Sequence, residues 1–279
     1  MLDIKKHSTL LIDSNAYMYR FFYGTEPRHC PDNNPVHVVY AFMGYARRLL
    51  QQYHPNRLIF VFDAEGNNFR HDLYSDYKSH RDPMPEDLAA QIELIKTAIT
   101  LLGIPLVEQP AVEADDSIAS LAKVLASESN HVYIFSRDKD LMQLVNDQVF
   151  MVDEKKQQII DREAVQSRYG IEPERIVQML ALMGDEADNI PGVEGIGAVT
   201  AAKLINQWGS IDKIVENSHW LKGAVGNNLR RAVDALHLSE QLTQLKIDLY
   251  NAEAQDDFHL LPEDKYEIHQ FCLKLGFHE

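Results

Sequence analysis

Leu58-Ile59-Phe60-Val61-Phe62-Asp63 is an unbroken apolar, aromatic and β-branched run that stops on a carboxylate. A short continuous run of this kind reads as a strand buried on both faces, as in parallel sheets covered by helices. The same reading applies to Leu10-Leu11-Ile12-Asp13, and Val132-Tyr133-Ile134-Phe135 is followed by Asp138 and Asp140. Open parallel sheets build their sites beyond the C-terminal ends of their strands, so these acids fall where chemistry is placed. Val112-Glu113-Ala114-Asp115-Asp116 adds three more, and Asp185 and Asp188 lie in Met183-Gly184-Asp185-Glu186-Ala187-Asp188-Asn189. Carboxylates brought together repel one another unless cations separate them. Hard divalent cations with oxygen ligands are the obvious reason to gather them.

Outward from these runs the pattern alternates strand and helix, predicting an α/β fold with a mainly parallel central sheet flanked by helices. Ser14–Tyr23 reads as a helix with Ser14 as its N-cap, whose aromatics pack the core with Arg20 solvated or, equally, hold a nucleic-acid end, and Val36–Tyr53 reads as a long amphipathic helix. Glu86–Leu102 reads as one helix, residues 103–107 as a short strand, and the acidic trio opens a helix running to about Ser127. Asp138 and Asp140 alternate, which in extended chain directs both to one side. Glu172–Met183 is a further helix, after which Asp185 and Asp188 stand one helical turn apart. Leu221–Lys246 reads as helical, and a short helix ending near Gly276 closes the chain.

Two segments carry positive or phosphate-seeking character. Residues 67–85 are polar, basic and aromatic, end at Pro83-Met84-Pro85, and follow a site-end aspartate, so they are placed as a lid. Within them Lys78 and Arg81 lie three apart, a spacing that in a helix faces both toward one phosphate. In residues 190–205, Gly195 and Gly197 punctuate a hairpin before an Ala-rich helix bearing Lys203. Helix-start amides of this kind seat phosphates, giving a contact to DNA backbone rather than to bases.

Composition sets the outer bounds. The 279 residues carry a formal charge of −15, unusual for a phosphate binder, but the carboxylates would be offset locally by bound cations. Only Cys30 and Cys272 are present, so no disulfide framework is implied and a reducing compartment is expected. No apolar run approaches the roughly 20 residues that span a bilayer, and Met1–His7 lacks a signal peptide's apolar core, so the expectation is a cytoplasmic protein with no membrane association.

The chain closely resembles the 5′ nuclease domain of bacterial DNA polymerase I, within the wider flap endonuclease family. The resemblance rests on Phe60-Val61-Phe62-Asp63-Ala64, Tyr77-Lys78-Ser79-His80-Arg81, Val112-Glu113-Ala114-Asp115-Asp116, Asp138-Lys139-Asp140 and Ala181-Leu182-Met183-Gly184-Asp185-Glu186-Ala187-Asp188-Asn189-Ile190-Pro191-Gly192. It implies a nuclease unit over residues 1–170, with a helical arch at about 67–85. It also implies a helical C-terminal unit over 171–279, with a helix-hairpin-helix at about 186–206. Asp13, Asp63, Glu113, Asp115 and Asp116 would gather at a first metal site, and Asp138, Asp140, Asp185 and Asp188 at a second. The ions are expected to be Mg²⁺ or Mn²⁺, with K⁺ held at the hairpin. Lys78 and Arg81 are matched to residues that steer the scissile phosphate; Arg20, Arg70, Tyr77, Gly192, Gly195, Gly197 and Lys203 are assigned to DNA. A monomer is expected, either free-standing or part of a polymerase.

The implied activity is hydrolysis of phosphodiester bonds in 5′ flaps and at 5′ ends of duplex DNA, with the RNA strand of a primer as a co-substrate. Three rivals stand beside it. A module that binds branched DNA without cutting would have lost metal ligands, and none is lost here. An RNA-directed nuclease is less consistent with the long arch segment and the Gly-rich hairpin. Calcium-stabilised surface loops fail because the acids follow buried strands and Asp138-Lys139-Asp140 lacks the glycine and distal Glu of an EF-hand.

Overall fold

The computed structural model describes residues 2–277, so Met1, His278 and Glu279 of the two expected units lie outside the described residues. Six strands form one sheet: β1 (Thr9–Asp13), β2 (Arg57–Phe62), β3 (Leu106–Glu108), β4 (Val132–Phe135), β5 (Val149–Asp153) and β6 (Gln158–Ile160). Their order is β3-β2-β1-β4-β5-β6, all neighbours parallel except the antiparallel β5–β6 pair. The order reverses direction between β1 and β4, and ligand sites form at such a switch point. Asp13 is the last residue of β1, paired in register with Val61, and the neighbouring Ile12 pairs with Phe135.

The two-residue period of a strand splits the core into two layers. Leu10, Ile12, Leu58 and Phe60 face one layer with α2 (His37–Tyr53). Leu11, Ile59 and Val61 face the other, as the two faces of a buried parallel strand must. Around the sheet lie α1 (Ser14–Gly24), α3 (Phe69–Leu73), α4 (Glu86–Ala89), α5 (Ile92–Leu101), α6 (Ala114–Leu125) and α7 (Arg162–Tyr169). The chain then continues through α8 (Ile176–Met183), α9 (Ala198–Trp208), α10 (Ile211–Glu216), α11 (Gly223–Arg231), α12 (Val233–Thr243) and α13 (Lys265–Lys274). Among the described residues no helix is long and apolar enough to cross a membrane.

Several expectations shift in detail. The cap of α1 is Asp13, which accepts from the Ala16 amide at 3.1 Å, rather than Ser14. The helix expected over 86–102 breaks at Gln91, whose side chain is diverted to the Val38 amide (2.9 Å) and the Asp87 carbonyl (2.7 Å). The segment expected to be helical over 221–246 breaks at Ala232, between α11 and α12. The β5–β6 pair was not anticipated, although Val149-Phe150-Met151-Val152 has the same character as the other strands.

Between α8 and α9 the backbone crosses itself. Gly184 has φ +74°, and a Cβ there would stand 2.6 Å from the Gly192 amide nitrogen. A Cβ on Gly192 would fall on the Met183 carbonyl, backbone that has nowhere to go. Gly192→Ala is therefore expected to cost about 3 kcal/mol of stability. Urea unfolding checks this; a loss under about 0.5 kcal/mol would mean the crossing opens easily.

Candidate active site

Each carboxylate reaches the switch point from a different element. Asp13 ends β1 and accepts from Ser136 Oγ at 2.7 Å, which ties it to the chain leaving β4. Asp63 follows β2; one oxygen accepts from the Ala114 amide (2.6 Å), the other from Asn15 Nδ2 (2.7 Å). It thus sits at the start of α6, where helix amides and dipole favour an anion. Glu113 precedes that helix and Asp115 lies in its first turn. Asp138 accepts from the Asp140 amide at 2.9 Å, and Asp140 opens a 3₁₀ turn over Asp140–Leu144. The pair is therefore not in extended chain, because the backbone turns at Lys139 and Asp140 enters the 3₁₀ turn.

Asp185 and Asp188 are not one turn apart on a helix either. They lie in a tight turn closed by mutual backbone hydrogen bonds between Asp185 and Ile190, 3.0 and 2.8 Å. The Gly184–Gly192 crossing sets this geometry, and it brings both side chains back toward β4. Lys139 reaches Asp185 at 3.0 Å.

Residues 67–85 lie across that turn. After α3, capped by Asn68, the chain forms turns rather than a continued helix, and Lys78 adopts φ +55°. The Lys78 amide donates to the Asp188 carbonyl (2.9 Å), and Asn189 Nδ2 donates to the Asp76 carbonyl (2.7 Å). Helical spacing is thus not what aligns Lys78 and Arg81, yet they still converge. Lys78 Nζ pairs with Glu113 and stands 3.9 Å from Asp188, while Arg81 pairs with Asp188 at 2.5 Å. A cleft of about 150 Å³ between this cover and α6 is lined by Asp63, Asn68, His71, Lys78, Arg81 and Glu113, among others.

Electrostatics divide the acids. Burial, reinforced by neighbouring carboxylates, pushes Asp13 up to about 6. Burial and then Asp138 and Asp13 hold Asp115 well above the usual carboxylate range; burial and then Asp138 and Asp185 do the same to Asp140. Burial also raises Asp63 and Asp138. Glu113 goes the other way: burial opposes its charge, but Lys78 and Arg70 outweigh it and hold the carboxylate low. Asp140 Oδ1 is buried with no hydrogen-bond partner. Buried anions raised by one another, with an orphaned oxygen among them, are a donor set that fits a hard cation. Among the described residues no three His, Cys, Asp or Glu gather tightly enough to hold an ion alone.

Three of the assigned residues are held inside the fold by protein partners. Arg70, expected on DNA, is 2% exposed and bound to Asp116 and Glu113. Tyr77, also expected on DNA, is 4% exposed and its hydroxyl donates to Glu113 at 3.0 Å. Asp116, expected at a metal, is 1% exposed and fully engaged by Arg70 and the Lys246 amide. Arg20 is half exposed and reaches Glu154 at 3.0 Å. Gly192, Gly195, Gly197 and Lys203 are exposed, and Gly197 caps α9. Asn15, Ser136 and Lys139 were missed; Ser136 directly follows one strand run already singled out and Asn15 lies two residues past another, which was the available signal.

A parallel sheet that collects buried carboxylates at its switch point and covers them with cations is built to act on a phosphodiester, and the class is a nuclease. Comparison with known proteins makes this specific. The model of the 5′-3′ exonuclease N-terminal resolvase-like domain matches residues 8–170, and that of the 5′-3′ exonuclease C-terminal SAM fold matches 171–266. The 5′-3′ exonuclease of Aquifex aeolicus is 35% identical over 93% of this chain and 89% of its own. The thermostable DNA polymerase I of Thermus aquaticus is 38% identical over 98% of this chain but only 32% of its own length, so the chain spans about a third of that relative. The zinc-bound T5 5′-exonuclease shares the fold, with TM-score 0.73 at 22% identity over 96% of this chain and 98% of that one. The chain belongs to the 5′-3′ exonuclease family.

Proposed function

We propose that this chain hydrolyses phosphodiester bonds at 5′ flaps and 5′ ends of duplex DNA, including RNA primer strands, as a cytoplasmic monomer using divalent cations. The observation that carries the proposal is the convergence of Asp13, Asp63, Glu113, Asp115, Asp138, Asp140, Asp185 and Asp188 beneath Lys78 and Arg81. Asp13, Asp63, Glu113 and Asp115 would hold one Mg²⁺ or Mn²⁺, and Asp138, Asp140, Asp185 and Asp188 another. Bound ions would supply an activated water and charge stabilisation on the leaving oxygen.

The chain's own groups do the rest. Lys78 stays charged, since Glu113 and Asp188 outweigh the burial that opposes it. With Arg81 it presents positive charge at the mouth of the cleft, where a phosphate would exchange for the carboxylates they now hold. Gly195, Gly197 and Lys203 would hold duplex backbone, with K⁺ beside them in the depression lined by Met183 and Gly192–Gly197. We place the nuclease unit at 1–170 and the duplex-holding unit beyond it.

The test is cleavage of a 5′-labelled flap on nicked duplex, with Mg²⁺ and with EDTA. Cutting near the junction is expected with the metal and none with the chelator. Binding should weaken steeply with added salt, as phosphate contacts require. Tight, salt-sensitive binding with no cutting under any divalent ion would instead identify a branched-DNA binding protein.

A further inference from the structure

We infer that Arg70 and Asp116 form a buried positioning pair, through which the C-terminal part of the chain sets the orientation of Glu113. The inference rests on the nuclease reading above and gives both residues roles different from DNA contact and metal ligation.

The hydrogen-bond inventory of the guanidinium is complete. Arginine has five N–H groups. Nε donates to the Leu242 carbonyl at 2.8 Å. Nη1 donates to Glu113 Oε2 at 2.8 Å and Asp116 Oδ2 at 2.6 Å. Nη2 donates to Asp116 Oδ1 at 2.9 Å and the Gln244 carbonyl at 3.2 Å. No N–H remains for a phosphate, and none could arrive at a side chain only 2% exposed. Asp116 is equally occupied: besides the fork from Arg70, its Oδ1 accepts from the Lys246 amide at 2.8 Å. Phe69 packs against the same assembly, with the Arg70 guanidinium 4.5 Å and the Lys246 ammonium 3.9 Å from its ring centroid.

The pair joins parts of the chain that do different work. Arg70 and Asp116 lie within the N-terminal family match; Leu242, Gln244 and Lys246 lie within the C-terminal one. The path continues in both directions. Ser239, on α12, donates to the Pro191 carbonyl of the glycine hairpin, and α12 ends beside Leu242, whose carbonyl receives Arg70. At the other end Glu113 Oε2 is shared by Arg70 and the Tyr77 hydroxyl, while Lys78 holds Oε1. Hairpin, α12, guanidinium and Glu113 thus form one contiguous hydrogen-bonded and packed route. The planar fork, rather than charge alone, fixes the angle at which Nη1 meets Glu113, and a lysine has no such fork.

A double-mutant cycle of Arg70→Gln and Asp116→Asn, with Arg70→Lys alongside, tests this. Arg70→Gln leaves Asp116 buried and unpaired and is prone to misfold, so the neutral double variant Arg70→Gln/Asp116→Asn carries the main comparison. Expected are a kcat on the flap about 30-fold below wild type, and KM and metal-free affinity for the flap within about threefold. Asp116→Asn alone should lose about as much as the double variant, and Arg70→Lys should restore thermal stability without restoring kcat. The rise in melting temperature on adding Mn²⁺ should be the same in Asp116→Asn as in wild type. A tenfold loss of flap affinity with kcat retained would make Arg70 a phosphate contact and overturn the inference. Loss of the Mn²⁺ shift in Asp116→Asn would make Asp116 a ligand, with the same result. Additive losses would separate the two residues and sink the pair. If wild type does not cut, the nuclease reading fails, and the pair is judged by unfolding, where non-additive stability losses support it and additive losses overturn it.

Discussion

Asp115→Asn is expected to lower turnover on a 5′ flap by about 10³-fold while leaving flap affinity within about threefold. The carboxylate stands in the first turn of α6 and forms no salt bridge among the described residues. The charges acting on it are Asp138, Asp13 and Asp63, which raise it, and Lys78, which moderates them. Asparagine keeps the shape and removes the anion, so it deletes the group that would bind a cation while disturbing packing little. A side chain that touched only DNA would show the opposite split, a raised KM with kcat preserved. A second signature separates the proposal from simple damage. Removing one of several mutually repelling buried carboxylates relieves repulsion, so the variant should be as stable as wild type, or more so, without divalent ions. An inactive variant that is also several kcal/mol less stable would point to a structural role for Asp115.

The strands that build this site were legible because each is a continuous apolar run with an acid at its end, and the sheet's switch point places those ends together. What the sequence did not disclose depends on partners far along the chain. Nothing local distinguishes Arg70 from the basic residues around it; its burial follows from Asp116 and from carbonyls at Leu242 and Gln244. Spacing rules misled in the same way at Asp185 and Asp188. A three-residue interval fits a helical turn, but the Gly184–Gly192 crossing forces a tight turn that delivers both carboxylates by another route. Lys78 and Arg81 were likewise paired by a helix that does not form, and they converge because Lys78 adopts a left-handed conformation and its backbone is anchored to Asp188. The chemistry of each residue was readable; the direction each side chain points was settled by tertiary contacts.

Without divalent ions, stability is expected to fall as pH rises from about 4 to about 7, with Asp13 alone contributing about 3 kcal/mol. The sign follows from proton counts. An unfolded aspartate titrates near 3.9, whereas burial in the native state pushes Asp13 up to about 6. Between those values the native chain binds more protons than the unfolded one, so raising the pH favours unfolding. The stabilisation is fully present below the unfolded value and is lost as pH passes through the folded one. Asp115 and Asp140 are displaced in the same direction, which carries the loss to higher pH. Glu113 opposes them, being held low by Lys78 and Arg70 against burial, but its contribution changes only at the acid end. Divalent cations bind the deprotonated carboxylates, so their stabilisation grows with pH and should cancel the decline. Urea unfolding across this range, in EDTA and in Mg²⁺, reads both effects. A decline in EDTA that Mg²⁺ abolishes ties the titrating acids to the cation. A decline that Mg²⁺ leaves untouched would place the ion elsewhere, and stability rising with pH in EDTA would mean that these carboxylates are not packed against one another in solution.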